Sequence, residues 1–290
     1  MLDTFQTQFL PYLEAIKTSL STADGMCRIK GFIDVTQTIY ALSSDTKVLS
    51  KLLEMSILPI IEQFAHEQNF LLRLPEAQNH YPDFTLISRT DARECYALDL
   101  KSTYRVGADH NGAMRVNGLT LGTFGGYFRA RTHTTGITLP YSMYSKHYVL
   151  GMVYSRVDTV NTQSRYTVQD LQSIPSAARD FVVFLHEKYQ IASDQPGSGN
   201  TKNIGSTKFL DRLVNGTGVF AQLGVEIFDD YWMHYRTRLM AREEGFDQPP
   251  YVDLPSYRRY KSQGAQILGT PDDTLLTEND VPKLDSEDEQ

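Results

Sequence analysis

The sequence predicts an α/β (α+β) fold, and three observations predict it. Residues 2–20 and 46–68 carry apolar side chains at helical spacing. Five runs rich in β-branched and aromatic residues, at 28–40, 83–88, 94–102, 147–157 and 180–185, read as strands. The chain has 290 residues, of which 41% are hydrophobic and 22% charged, so it can bury one sizeable core.

Taken in order, the first helix places Leu2, Phe5, Phe9, Leu13, Ile16 and Leu20 on one side, with Pro11 as a break point. The segment RIKGFIDVTQTIY (28–40) reads as one strand. Ser44, Asp45 and Thr46 form an N-cap cluster for a long helix to about 68. Apolar residues cover most faces of that helix, which predicts burial, and Pro59 predicts a kink. Two strands follow, at 83–88 and 94–102, then a Gly-, Thr- and Arg-rich stretch at 107–138. HYVLGMVYSRV (147–157) and DFVVFL (180–185) are apolar strands, and Pro196 to Ser206 is a polar Gly/Asn loop. Residues 226–243 read as a single helix around Trp232, which is expected in the core. The domain is expected to span 1–261, and residues 262–290 to form an acidic, disordered tail.

Composition excludes several classes. No apolar run approaches the roughly 20 residues of a membrane helix. The N-terminus carries Asp3 and Gln6 where a secretory signal is basic and then apolar. Cys27 and Cys95 form no CxxC pair, which fits a reducing, cytoplasmic setting and argues against a disulfide framework or structural zinc. The seven histidines show no HExxH or other ligand spacing. The net charge of −7 equals that of residues 271–290 alone, where eight acidic residues face one Lys283. The rest is neutral overall, with a basic concentration at Arg236, Arg238, Arg242, Arg258, Arg259 and Lys261. A neutral body with one basic face is compatible with DNA binding, and equally with an ordinary solvated surface.

Chemistry concentrates in Pro82-Asp83 and Asp99-Leu100-Lys101. Side chains alternate along a strand, so Asp99 and Lys101 share a face. A hairpin centred on Asp91 would set Asp83 opposite Asp99, whereas a one-residue slip would part them. Two carboxylates and an ammonium on one surface suit metal-assisted phosphodiester hydrolysis: a hard Mg²⁺ ion takes one or two carboxylates plus water and phosphate oxygens. The lysine would stabilise the anionic transition state. Glu54, expected to be buried in KLLEMSIL, is a candidate helper carboxylate that would need a partner there. A plain hairpin with an Asp99–Lys101 ion pair fits the bare pattern as well.

Longer runs carry a resemblance. Ser44 to Ser50, Gln78-Asn79-His80-Tyr81-Pro82-Asp83-Phe84-Thr85-Leu86, Asp99-Leu100-Lys101-Ser102-Thr103-Tyr104, Gly197-Ser198-Gly199-Asn200-Thr201 and Asn203-Ile204-Gly205-Ser206 occur in one order. Thr120-Leu121-Gly122 and Tyr231-Trp232 are fainter matches. In these runs, over roughly residues 28–245, the chain resembles type II restriction endonucleases of the PD-(D/E)xK superfamily. The resemblance implies a restriction-endonuclease-like fold, with a mixed central β-sheet flanked by helices, and a U-shaped homodimer around duplex DNA. It implies a small dimerisation part around 28–40 and 147–170.

By the same resemblance, Asp83, Asp99 and Glu54 hold Mg²⁺, with Mn²⁺ able to substitute, and Lys101 is the catalytic lysine. Gly197, Ser198, Gly199, Asn200 and Thr201 are the major-groove recognition loop. Gln78 and Asn79 approach from the minor groove, and Asn203 and Thr103 join them as DNA contacts; Lys202 departs from the family's threonine, and a lysine there could contact phosphate. Asn200 is the right residue to pair bidentately with adenine, and the Thr201 methyl can touch that of thymine. The implied product is a 5′-phosphate and a 3′-hydroxyl, with GATATC cut bluntly as the leading site. The host is expected to be bacterial and to supply a cognate DNA methyltransferase that is not a stable subunit. Departures from the family pattern are Glu76-Ala77 before Gln78, Lys202 in place of threonine, a different 105–138 stretch, and the acidic tail. A repair or junction-resolving nuclease, or a non-cleaving DNA-binding protein on the same fold, are the competing expectations.

Overall fold

The computed structural model describes residues 2–77, 79–157, 163–197 and 202–263. Gln78, the loop residues Ser198, Gly199, Asn200 and Thr201, and residues 264–290 of the acidic tail expected from 262 lie outside the described residues; Ser262 itself closes the last helix. In chain order the elements are α1 (Thr4–Leu20), β1 (Gly31–Ile33), β2 (Ile39–Ala41), α2 (Thr46–Glu67), β3 (Phe70–Arg73), β4 (Phe84–Ser88), β5 (Cys95–Ala108), β6 (Met114–Val116), β7 (Thr120–Thr123), β8 (Lys146–Arg156), β9 (Arg165–Tyr166), β10 (Ala178–Glu187), α3 (Lys188–Ile191), β11 (Ala192–Pro196), β12 (Asn203–Ser206), α4 (Leu210–Asn215), α5 (Val225–His234), α6 (Arg238–Glu243) and α7 (Leu254–Ser262). The architecture is α/β, with a central mixed sheet flanked by helices. That sheet has six strands in the order β10-β8-β5-β4-β3, with β6 paired to β5. β1-β2-β9 and β11-β12-β7 form two smaller sheets.

The chain divides into two compact units. The first comprises residues 1–68, 100–117 and 150–185. Here Asp3 caps α1, its side chain accepting from the Gln6 N–H at 2.8 Å. Phe5, Phe9, Tyr12, Ile16 and Leu20 form the buried stripe of α1. Asp45 caps α2 by accepting from the N–H groups of Lys47 and Val48. Leu49, Leu53, Ile57, Ile61 and Phe64 make its buried stripe, and the Phe64 ring meets those of Phe5, Phe9 and Tyr12. Both helices continue through Pro11 and Pro59.

Two expectations change in this unit. α2 is buried along one stripe only; Met55 is 62% exposed, because apolar content does not fix which face has a partner. Residues 28–40 form a hairpin rather than one strand. The Asp34 carboxylate accepts from the N–H groups of Thr36 and Thr38, and Gln37 takes a positive φ of 63°, which together turn the chain.

The second unit comprises residues 69–99, 118–149 and 186–290. Its frame is the antiparallel run β3-β4-β5; every β4 residue is buried, as a central strand requires. Trp232 is fully buried against Phe124, Tyr231 and Tyr235, as expected of a core residue. The single helix expected at 226–243 is two helices. Tyr235 takes extended backbone at the end of α5, and the Thr237 hydroxyl then caps α6 by accepting from the Met240 N–H.

Candidate active site

The β4–β5 register pairs Phe84 with Leu98, Thr85 with Ala97, Leu86 with Tyr96 and Ile87 with Cys95. One step beyond the first pair are Asp83 and Asp99, so the hairpin centred on Asp91 is formed in the expected register. Residues directly opposite in an antiparallel pair project from the same face. Thr85 marks that face, where its hydroxyl bonds the Tyr144 hydroxyl at 2.9 Å.

Asp99 is 3% exposed. Its carboxylate faces Tyr81, Tyr127 and Tyr141, and its charge adds to the effect of burial in pushing all three phenols up from their ordinary pKa. Tyr81 stacks on Tyr127 at 5.3 Å and on His147 at 5.8 Å, and its hydroxyl bonds His147 Nδ1 at 2.9 Å. Tyr141 stacks on the same histidine at 3.8 Å. Burial first, then the cations Lys188 and Arg131, hold His147 well below the ordinary imidazole pKa. Arg131 is paired with Asp229 at 2.7 Å, and burial raises the Asp229 pKa against the pull of Arg131. Of this tyrosine–histidine box the sequence flags only Tyr81, next to Pro82-Asp83; Tyr127, Tyr141, His147 and Lys188 lie in other segments without a motif.

Lys101 follows Asp99 by two residues on β5 and is half-buried, its ammonium donating to the Leu100 carbonyl at 3.1 Å. Thr103, two residues further, is buried at 3%. α2 is tied to β5 by a 2.6 Å bond between the hydroxyls of Ser50 and Ser102. One helical turn on, Glu54 is half-buried rather than enclosed; its partner is Lys51 at 2.6 Å. Among the described residues no group of three or more His, Cys, Asp or Glu side chains is arranged to hold a metal ion. The donor chemistry still fits Mg²⁺, which takes as few as one or two carboxylate oxygens and fills its shell with water and phosphate.

The recognition segments are seen at their stems. β11 and β12 pair across the loop, with Pro196 opposite Ile204 and the Gly197 N–H donating to the Asn203 carbonyl at 2.9 Å. A side chain at Gly205 would meet the Gln195 carbonyl at 2.5 Å, so the closeness of the two strands requires glycine. β12 continues onto β7, where the Lys202 carbonyl accepts from the Phe124 N–H and the Thr123 hydroxyl. The Lys202 side chain is exposed beside a cavity of about 640 Å³ also lined by Gln195, Arg236 and Arg238. Asn79 is exposed in the turn before His80.

An α/β fold with Asp83 one step beyond the Phe84–Leu98 pair, and with Asp99 and Lys101 on β5, brings together the residue types that metal-assisted phosphodiester cleavage uses. Comparison with known proteins gives the family. Residues 23–262 match the family described as restriction endonuclease EcoRV. The chain is 35% identical over 238 residues to the type II restriction enzyme EcoRV of Escherichia coli, covering 81% of this chain and 91% of that protein. The chain belongs to the EcoRV restriction endonuclease family and is a type II site-specific deoxyribonuclease. Among solved structures, the NlaIV restriction endonuclease aligns over 89% of this chain and 94% of that one at 14% identity, with a TM-score of 0.38 too low to carry weight. No described helix is long and apolar enough to cross a membrane.

Proposed function

We propose that the protein is a cytoplasmic, bacterial homodimer that cuts both strands of duplex DNA at GATATC, leaving blunt ends with 5′-phosphate and 3′-hydroxyl. Mg²⁺ is the metal, with Mn²⁺ as a substitute, and a separate host methyltransferase would protect the same sites. The observation that carries this reading is the register of β4 on β5, which runs through Phe84 and Leu98 to Asp83 and Asp99.

Asp83 and Asp99 would hold the metal, with Glu54 as an auxiliary carboxylate. The ion, when bound, would stabilise charge on the scissile phosphate and lower the pKa of a bound water. Lys101 orients the attacking oxygen and stabilises the pentavalent phosphorane charge through its ammonium. The burial of Asp99 excludes water from one side of the pair, which strengthens its hold on a cation. Gly197 to Thr201 would read base edges in the major groove, Gln78 and Asn79 would approach from the minor groove, and Lys202, Asn203 and Thr103 would complete the DNA contacts. For Thr103 this requires its hydroxyl to become accessible when DNA binds.

The test is incubation with Mg²⁺ and a plasmid carrying one GATATC site. A single blunt cut there supports the reading; cutting elsewhere overturns the sequence assignment, and no cutting with any divalent ion overturns the chemistry. Asn200→Ala should lose discrimination at adenine, by about 1–3 kcal/mol for one bidentate pair. A variant that cuts as selectively as the parent would exclude the loop from base reading.

A further inference from the structure

Lys188 opens α3 and is 2% exposed. Lysine heads ordinarily reach water, so a buried ammonium needs compensation. Here it lies 4.3 Å from the centroid of the Tyr81 ring and 5.4 Å from that of Tyr141. A Cβ at Gly122 would stand in ordinary contact with the lysine nitrogen, at 3.8 Å, and closer to the Tyr127 hydroxyl, at 3.2 Å. Arg131, the other cation that acts on His147, is paired with Asp229 at 2.7 Å, and the charge of Lys188 acts on that carboxylate as well.

Tyr81 is held from every side. Its N–H donates to the Gly136 carbonyl at 3.0 Å, and its carbonyl accepts from the Thr138 N–H at 2.8 Å. Its hydroxyl is bonded to His147, its ring stacks with Tyr127, and the ammonium of Lys188 meets the ring's negative quadrupole. Pro82 follows, and then Asp83. Between this anchor and the first registered pair of β4 there are only two residues, so the placement of the Tyr81 ring fixes where the Asp83 carboxylate can go.

We propose that Lys188 is a positioning residue for the divalent-cation site: its ammonium on the Tyr81 ring locks the Tyr81-Pro82-Asp83 segment in the register that sets Asp83 beside Asp99. The proposal rests on the reading of Asp83 and Asp99 as metal ligands. It assigns Lys188 no contact with substrate. Two roles for a buried lysine beside carboxylates predict opposite signs. A competing charge, when removed, would tighten cation binding; a positioning charge, when removed, would loosen it. The contact with the Tyr81 ring is the ground for the second role, and the sign of the effect tests it.

The experiment measures Mn²⁺ binding to the full-length protein without DNA, by loss of the free-ion electron paramagnetic resonance signal, with circular dichroism to confirm the fold. Lys188→Met should weaken Mn²⁺ binding roughly 10-fold, the low end of the 10- to 100-fold scale for groups that orient a metal ligand, because it acts through the Tyr81 ring. Lys188→Arg, which keeps the charge on the ring, should bind nearly as the parent does. Tyr81→Leu should reproduce the loss. In an Asp83→Asn background, Lys188→Met should add nothing further. Parent-like or tighter binding by folded Lys188→Met overturns the proposal, and so does an undiminished effect in the Asp83→Asn background. Failure of Lys188→Met to fold while Lys188→Arg also loses Mn²⁺ overturns it as well. If parent binding does not depend on Asp83 and Asp99 at all, the metal reading itself falls; if it depends on them but not on Lys188, only this proposal does.

Discussion

Replacing Asp99 by Asn removes one charge and almost no volume. The side chain is 3% exposed, so solvent screens it little. At an effective dielectric of about 20, two unit charges about 4 Å apart interact by roughly 4 kcal/mol. A divalent ion that loses one of two carboxylate partners therefore loses at least that much attraction. At about 1.4 kcal/mol per tenfold, the expected fall in cleavage is roughly 10³-fold or more. The amide fills the same space, so no cavity opens and the fold should persist, with stability changed by about 1–2 kcal/mol in either direction. The assay is conversion of supercoiled plasmid to nicked and linear forms at excess enzyme and Mg²⁺ held below saturation of the parent, beside a thermal melt of the same sample. Cleavage within tenfold of the parent, by a variant that melts as the parent does, would refute Asp99 as a metal ligand. A variant that fails to fold would instead show that its charge is structural.

Lys101→Met should keep Mn²⁺ binding and lose about 10²- to 10³-fold in cleavage, the scale for one lost transition-state donor; near-parent rates would remove Lys101 from the chemistry. His147 and His186 are both depressed in pKa, chiefly by burial, so the folded state holds them neutral while the unfolded state takes up protons below about 6.5. Stability is then fully present above that pH and falls as pH drops below it, by up to about 1.4 kcal/mol per unit for each histidine. His147→Gln should flatten that slope by about half in urea melts near neutrality and about one unit below 6.5; an unchanged slope would contradict a neutral, buried His147. Gly151→Ala would set a methyl 2.0 Å from Cζ of the buried Phe184, and overpacking of this kind costs about 1–3 kcal/mol. That is a fall of several degrees in Tm, with cleavage at low temperature retained; an unshifted Tm would show that the ring moves freely.

The sequence by itself determined which face of each strand carries the chemistry. Alternation along β5 puts Asp99 and Lys101 together whatever the strand packs against, because the period of two is a property of the backbone. The polar turn around Asp91 pointed to the β4–β5 hairpin but left a one-residue slip open, and strand pairing settled the register. It also determined family, through ordered runs of identical residues. It did not determine where helices stop. The break at Tyr235 and Thr237 depends on a hydroxyl cap that competes only weakly in isolation, and the hairpin within 28–40 on a carboxylate that gathers its own N–H groups.

Tertiary structure alone decided burial and company. Glu54 sits in an apolar run yet is half-exposed, because only the stripe from Leu49 to Phe64 faces a partner. Thr103 is buried on the strand that holds Asp99. Lys188, 105 positions after Asp83 in the sequence, comes to the ring that precedes that aspartate because β10 delivers it there. Local pattern reports spacing along the chain. Which cation lies over which ring is settled by contacts between residues far apart in sequence, and these form only when the sheet has closed.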